Sequence, residues 1–469
     1  MIDADAFGGL ELSVAMTGEM ATALAAHLDK GLAQEDVIFA LWRQSRGEAR
    51  YTAILTELIF PEAGDRILQG NAAFTGQYVQ RVLDRVTAGD GIAFLHSHLG
   101  PGWQTMSKDD VVAEQDRLAP PVAGRTRLPL LGLTRGTDGA WSARFWLRHG
   151  RGEYIRRWAS TVRVVGRTVD VTYHPDLRPA VGLMESQVAT ESVWGDLRQA
   201  DLARVHVGVV GVGSVGSLVV EALARLGVSR LTVIDFDRIE ARNLDRTTGA
   251  YPSDADRETP KVRVAERLYR GTHTARVVNM IVYEGDILDP GGLARALDCD
   301  MLFSCVDRPS PRHMLNALAY AHLIPVVDGG IFALVDEGRP IHVDWRIHTV
   351  GPQHACMVCL GALAPEDVAL DRDGMLDDPE YIKGLPPERR SALARQNVFP
   401  FSMSVAAHEV LQFLGLVTGL PRVGATGPQV YHAYPGVLEV LDMHECLPGC
   451  GYSALTAAAS DLSGNLQRS

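Results

Sequence analysis

The chain has 469 residues, 46% apolar and 22% charged, with a formal net charge of −12. That length accommodates two or three domains with cores of their own, and the acidic balance argues against a nucleic-acid or anionic-membrane surface. No apolar run reaches the ~18 residues of a membrane helix, the acidic start is not a signal peptide, and six cysteines are too few for a disulfide scaffold of this size, so a cytoplasmic location is expected.

In the first third, Met16–Lys30 is Ala- and Leu-rich with helical spacing, and VIFALW (Val37–Trp42) and Tyr51–Phe60 read as strands. Tyr78–Val86 has helical spacing, and the apolar Gly91–Leu95 leads into His96-Ser97-His98. Asp109–Leu118 reads as a helix, and Leu128–Leu133 and Trp141–Leu147 as strands joined by Gly136-Thr137-Asp138-Gly139. The β-branched stretch Thr161–Tyr173 closes this domain, and His174–Glu185, with two prolines, reads as a linker.

From about Gln187 strands and helices alternate. The strands are Val205–Val210, Leu231–Ile234, Val277–Tyr283, Met301–Val306 and Ile324–Val327, and the helices Ser217–Leu226, Lys261–Leu268, Leu293–Leu297 and His313–His322. This is the pattern of a doubly wound parallel sheet, whose ligands sit beyond the carboxyl ends of the strands. Pro340–Thr349 and Gln429–Asp442 look antiparallel, Pro365–Asn397 is expected to be a long mobile crossover, and the tail after Tyr452 is expected to fray.

Two constellations carry chemistry. In the first, His96-x-His98 is followed by Ser107-x-x-Asp110. Alternation on a strand end puts both histidines on one side. A carboxylate at the next helix start completes three ligands and leaves a fourth position for water, as catalytic zinc requires. Two histidines near a turn, taken alone, are more often surface polar residues. The joint pattern resembles the JAMM motif of the Mov34/MPN/PAD-1 metalloproteases, over roughly residues 10–150. The resemblance implies an α+β domain with His96, His98 and Asp110 as zinc ligands. It also implies Ser107 as stabiliser of the oxyanion and an upstream Glu that activates the water. Glu35, just before VIFALW, suits that place, with Asp36, Glu48 and Glu57 as alternatives; Ser97 has no implied role. Leu99 replaces a frequent proline, and the His98–Ser107 spacing is one residue longer than usual, so the loop is expected to bulge.

The second constellation begins at VHVGVVGVGSVG, Val205–Gly216. Gly211-x-Gly213-x-x-Gly216 between a strand and a helix allows close approach of a phosphate to backbone N–H groups. Asp235 follows at a strand end, at the distance where a dehydrogenase places its ribose-binding acid, so hydride transfer survives to this point. It does not account for Asn243-Leu244-x-Arg246, Lys261 after Pro260, or Asp307 after a strand, which suit triphosphate oxygens and magnesium. The set, with its paired cysteines, resembles the ThiF/MoeB/ubiquitin-activating superfamily of adenylyltransferases over about Arg198–Gly451. The resemblance implies that Gly211, Gly213 and Gly216 form the nucleotide turn and Asp235 holds the ribose. Asn243, Arg246 and Lys261 would hold the triphosphate, Arg246 and Lys261 acting catalytically, and Asp307 would bind Mg2+. Asp237 is the poorer candidate beside Asp235, and Thr247 stands where Gln is frequent.

Cys356-x-x-Cys359 and Cys446-x-x-x-Cys450 supply four thiolates for a structural Zn2+, the second pair one residue longer than the family's. No cysteine lies between Cys359 and Cys446, and Cys299 and Cys305 fall beside or within the sheet as inert thiols. A cysteine thioester is therefore not expected.

The expectation is an α/β protein: 1–175 a JAMM-like zinc metalloprotease domain, 176–190 a linker, 191–455 a doubly wound, Rossmann-like ThiF domain and 456–469 a tail. The resemblances imply ATP, Mg2+ and two Zn2+. They imply a ubiquitin-like or sulfur-carrier protein as partner, with a conjugating enzyme also conceivable, and a homodimer through the activating domain; neither nucleic acid nor membrane is expected. The alternative is a sulfur-transfer, small-molecule or tRNA adenylyltransferase with a non-catalytic JAMM-like binding module.

Overall fold

The computed structural model describes residues 4–29, 34–69, 71–150, 152–182, 184–336, 339–386, 397–419 and 427–460. Parts of two expected segments, 387–396 of the crossover and 461–469 of the tail, lie outside the described residues, as does Lys30. The chain divides into two compact units, Met1–Pro179 with Ala457–Ser460, and Ala180–Thr456.

The strands of the first unit are β1 (Glu11–Thr17), β2 (Val37–Arg46), β3 (Arg50–Ile59), β4 (Arg66–Gln69), β5 (Asn71–Phe74), β6 (Gly91–Ser97), β7 (Leu130–Arg135), β8 (Trp141–Arg148), β9 (Tyr154–Trp158), β10 (Thr161–Val165) and β11 (Val169–Tyr173). Apart from the β4–β5 hairpin they form one mixed sheet, β11-β10-β1-β3-β2-β6-β7-β8-β9. The continuous apolar run VIFALW has a physical cause, because both faces of this sheet are covered. Ile38, Ala40 and Trp42 enter a cluster with Leu24 and Leu28 of helix Gly18–Leu28. Val37, Phe39 and Leu41 enter another with Tyr78 and Val82 of helix Gly76–Arg85. A strand covered on both sides loses its polar alternation.

Two expectations are corrected here. Met16 and Thr17 belong to a strand, β1, whose centre is fully buried, and the helix starts only at Gly18, with the Thr17 hydroxyl accepting from Met20 N at 3.2 Å. The helix expected to end at Leu118 runs on as Lys108–Val111, a π-helical turn Val112–Leu118 and Ala119–Thr126. Pro120 and Pro121 lack the N–H groups an α-helical ladder needs, and the wider π turn absorbs the mismatch.

In the second unit, β12 (His206–Val210), β13 (Arg230–Ile234), β14 (Asn279–Tyr283), β15 (Met301–Ser304), β16 (Val326–Asp336), β17 (Arg339–Val350), β18 (Gln429–His432) and β19 (Val437–Val440) form a sheet ordered β14-β13-β12-β15-β16-β17-β18-β19. It is parallel from β14 to β16 and antiparallel beyond. The reversal of strand order between β13 and β15, on either side of β12, opens a crevice at the carboxyl end of β12, where the glycine turn lies.

The helices Val188–Trp194, Asp196–Arg204 and Phe399–Thr418 were not anticipated from the sequence. Phe399–Thr418 corrects the expectation about apolar runs: by length and composition it is long enough to cross a membrane. It lies against helix Ser214–Arg225 and strands β16 and β17, and 61% of its apolar window is buried. It buries Val405, Val410, Phe413 and Leu416 together with Ser402, Glu409 and Gln412, the pattern of a helix enclosed in a core.

Candidate functional site

In the first unit, antiparallel pairing of β2 with β6 puts Val37 opposite His96, so residues just before β2 lie beside the histidines. The Asp36 N–H donates to Ser97 Oγ at 3.0 Å and the Ser97 N–H to Asp36 O at 3.1 Å. Ser97, assigned no role from the sequence, fastens the Glu35–Asp36 segment to the His-Ser-His strand end. His96 Nε2 and His98 Nε2 are 3.1 Å apart, and Asp110 Oδ2 is 3.2 Å from His98 Nε2. The three ligand atoms lie within 4.8 Å of one another. Three Lewis bases converging at a half-buried point are a donor set that fits zinc.

Ser107 caps its helix: its hydroxyl accepts from Asp110 N at 3.1 Å, and its N–H donates to Asp110 Oδ2 at 2.7 Å. That capping box aims Asp110 at the histidines, and the hydroxyl keeps a hydrogen to donate. Burial pushes the Asp110 carboxyl up, but His98, His96 and Ser107 outweigh it and hold it well below the usual carboxylate range. Burial and the nearby Arg144 guanidinium hold His96 well below its ordinary value, so its ring is neutral, as a metal ligand must be.

Among the acids considered for the base, Glu35 senses both His98 and Asp110. Burial raises its carboxyl, His98 draws it down and Asp110 raises it further. The buried Asp36 pairs with Arg66. Glu57 pairs with Arg85. Glu48 lies in the turn after β2, at the end of the strand away from His96.

Sequence reasoning missed the support behind the cluster. Arg144, buried in β8, pairs with the buried Glu114 and donates to Thr134 Oγ1, which lies 3.3 Å from His96 Nε2. Trp146 Nε1 donates to Glu114 Oε2 at 2.7 Å, and a Cβ at Gly132 would come within 2.3 Å of that oxygen. An arginine centred in the apolar run Trp141–Leu147 was the available signal.

In the second unit, helix Ser214–Arg225 starts three residues earlier than expected, inside the glycine motif. Gly211 has φ +84°, a Cβ at Gly216 would come within 1.9 Å of Gly211 O, and a Cβ at Gly213 would meet nothing within 4 Å. One glycine makes the turn, one lets the helix close on it, and one leaves open space for a ligand. Asp235 accepts from Val212 N at 2.7 Å and from Asp237 N at 2.8 Å, one bond on each oxygen, leaving acceptor capacity for ribose hydroxyls. Burial raises its carboxyl and Lys261 draws it down. Lys261, the first residue of helix Lys261–Thr272, places Nζ 2.7 Å from Asp237 Oδ2. Asp237, set aside on the sequence, is thus the partner of Lys261. Asn243 Oδ1 accepts from Glu240 N at 2.9 Å, Arg246 pairs with Asp245 at 3.0 Å, and Asp307 is exposed beyond β15. The open Gly213 face and the acid beneath the turn fit a nucleotide.

The four Sγ atoms of Cys356, Cys359, Cys446 and Cys450 lie within 4.8 Å of one another, with Cys356 Sγ and Cys450 Sγ 3.6 Å apart, and none is in a disulfide. The longer second spacing therefore still closes the set. Leu447 N donates to Cys359 Sγ at 3.4 Å and Cys359 N to Cys356 Sγ at 3.3 Å, as thiolate sulfurs around zinc accept. Cys299 is fully buried, and burial with Glu409 and Asp328 nearby holds Cys305 well above the ordinary thiol range.

The model of the ThiF family matches residues 184–434, just over half of the chain. The chain belongs to the ThiF family. The molybdopterin-synthase adenylyltransferase of Escherichia coli is 29% identical over 170 residues, 36% of this chain and 64% of that protein. The SAMP-activating enzyme E1 of Haloferax volcanii is 30% identical over 168 residues, 36% of this chain and 57% of that protein. The ubiquitin-like modifier-activating enzyme 5 of Xenopus laevis is 32% identical over 120 residues, 24% of this chain and 30% of that protein. The chain thus spans less than two thirds of the length of these relatives. The solved structure of E. coli MccB with ATP superposes with a TM-score of 0.44 at 15% identity, over 57% of this chain and 74% of that one.

Two outcomes are expected for the ThiF unit. Gly216→Ala forces Cβ against Gly211 O and should abolish measurable ATP binding by calorimetry. In the zinc-loaded chain, removing the metal from the four-cysteine cluster by Cys359→Ser should cost several kcal/mol. At roughly 2–4 °C per kcal/mol that lowers Tm by about 10 °C in a thermal scan.

Proposed function

We propose that this chain acts twice on a ubiquitin-like or sulfur-carrier protein. The ThiF unit activates the partner's C-terminal carboxylate with MgATP, releasing pyrophosphate and leaving an acyl-adenylate. The first unit is a zinc (iso)peptidase that trims or removes such a partner. The adenylation reading is carried by one observation: a ThiF-family glycine turn has Asp235 buried beneath it and Lys261 held beside it through Asp237. The likeness to a ubiquitin-like modifier-activating enzyme and to a molybdopterin-synthase adenylyltransferase supports the substrate class.

In the ThiF unit, Asp235 holds the ribose, the helix start at Ser214 receives phosphate, and Asn243, Arg246 and Lys261 hold the triphosphate against Asp307 and its Mg2+. Cys299 is fully buried and the half-buried Cys305 holds its proton, so neither suits a thioester and the adenylate passes directly to an external acceptor. In the first unit, His96, His98 and Asp110 hold zinc, Glu35 takes the proton of the attacking water, and Ser107 donates to the developing oxyanion. A zinc ion held by His96, His98 and Asp110 would supply an acidic water, with a pKa of about 7, for Glu35 to deprotonate.

The test is ATP–pyrophosphate exchange with the full chain and a panel of ubiquitin-like proteins ending in Gly-Gly, and cleavage of the same proteins fused to a C-terminal extension. Exchange that depends on one member and stops when its last glycine is removed is expected. Exchange with small carboxylic acids or tRNA, and none with any ubiquitin-like protein, overturns the reading.

A further inference from the structure

We propose that His342, Asp344 and His432 form a further metal site, for a first-row divalent ion such as zinc, on the antiparallel edge of the second unit. His342 and Asp344 are two apart on β17 and so share a face, and the ladder sets Asp344 opposite His432 of β18. Their ligand atoms lie within 4.8 Å of one another. Asp344 Oδ2 lies 2.6 Å from His342 Nε2 and 3.1 Å from His432 Nδ1. Two imidazoles and a carboxylate are a donor set that zinc and its neighbours take, with a further coordination position left open.

Two observations separate this cluster from an ordinary surface hydrogen-bonded group. Both imidazoles crowd one oxygen of Asp344, while the other, Oδ1, is buried with no hydrogen-bond partner. Hydrogen bonding alone leaves that carboxylate half satisfied, whereas a cation taking both of its oxygens would engage Oδ1 as well. The outer nitrogen of His432, Nε2, lies 3.4 Å from Glu439 Oε2 on β19. A carboxylate on the far ring nitrogen is the support that metal-bound histidines have, and it turns Nδ1 toward the site.

The cluster lies past the parallel core. The parallel pairing of β15 with β16 ends at Ser304 opposite Asp328, and Asp344 pairs with Phe332, four residues further along β16. An ion here ties β17 to β18 across a ladder that spans only Asp344–Ile347 and Gln429–His432. None of its ligands belongs to the nucleotide turn or to the four-cysteine cluster, so the site stands or falls independently of the proposed activities.

The full chain, stripped with chelator and dialysed against zinc, is assayed for bound metal by mass spectrometry beside the His342→Ala/His432→Ala double variant. The variant is expected to hold one equivalent less, since the other ligand sets are common to both; equal loading overturns the proposal. A second measurement uses only the unaltered protein. Zinc should slow diethylpyrocarbonate modification of His342 and His432, read by peptide mass, by tenfold or more, and unchanged rates at both residues overturn the site.

Discussion

Lys261→Ala is expected to lower ATP–pyrophosphate exchange by about 10²–10³-fold, or about 2.7–4 kcal/mol of transition-state stabilisation, and Arg246→Ala by a similar factor. The basis for Lys261 is a continuous chain of bonds. Its Nζ is held by Asp237, the Asp237 N–H donates to Asp235, and Asp235 accepts from Val212 N inside the glycine turn. The ammonium is thereby tethered to the turn that would carry the phosphates. Alanine removes that cation and leaves Asp237 as an unneutralised negative charge beside the triphosphate, so the loss exceeds that of a solvent-exposed lysine. Lys261→Arg should restore little, because a planar guanidinium does not replace a compact ammonium in the grip of one carboxylate. Tm should move little in either variant, because the turn stays anchored by Asp235. Exchange rates within twofold of the unaltered protein in both alanine variants would remove these residues from the adenylation step.

What could be read in advance divides by sequence separation. The glycine turn, Asp235, Asn243–Arg246 and Lys261 lie in one run of consecutive elements from β12 to helix Lys261–Thr272, so their order already encodes much of their neighbourhood. The cysteine pairs and His-Ser-His are as local, and the doubly wound alternation follows from strand and helix periodicity. The rest depended on pairings between distant segments. Met16 joined β1 because β10, from far along the chain, pairs with it, opposite Val164, while β3 pairs with the residues before it. Phe399–Thr418 has apolar residues nearly all round with Glu409 and Gln412 buried among them, so it shows no amphipathic stripe to betray a helix. Arg144 and Glu114 meet across thirty residues, and His342 meets His432 only through the β17–β18 register. The place of Asp237 could not be read from strand alternation, because its partner is a side chain twenty-four residues on.

Glu35→Gln should reduce cleavage of a ubiquitin-like fusion by 10²–10⁴-fold, the worth of a positioned general base, while zinc content at the His96 site stays the same. Asp110→Ala should lose both cleavage and that zinc, because it removes one of the three proposed ligands. The pair of variants therefore separates proton transfer from metal binding. The expectation rests on position: the Ser97–Asp36 bonds fasten the segment before β2 to the histidine strand, and the Glu35 carboxyl responds to both His98 and Asp110. Glutamine keeps the size and a hydrogen-bonding oxygen but takes no proton. Glu48→Ala should cleave normally, since its turn lies at the opposite end of β2 from His96. Asp36→Ala should fail differently, through stability, because it leaves Arg66 facing an emptied, buried site. Full cleavage by Glu35→Gln would pass the base role to another group, and cleavage absent from the unaltered, zinc-loaded chain with every fusion would make the first unit a binding module.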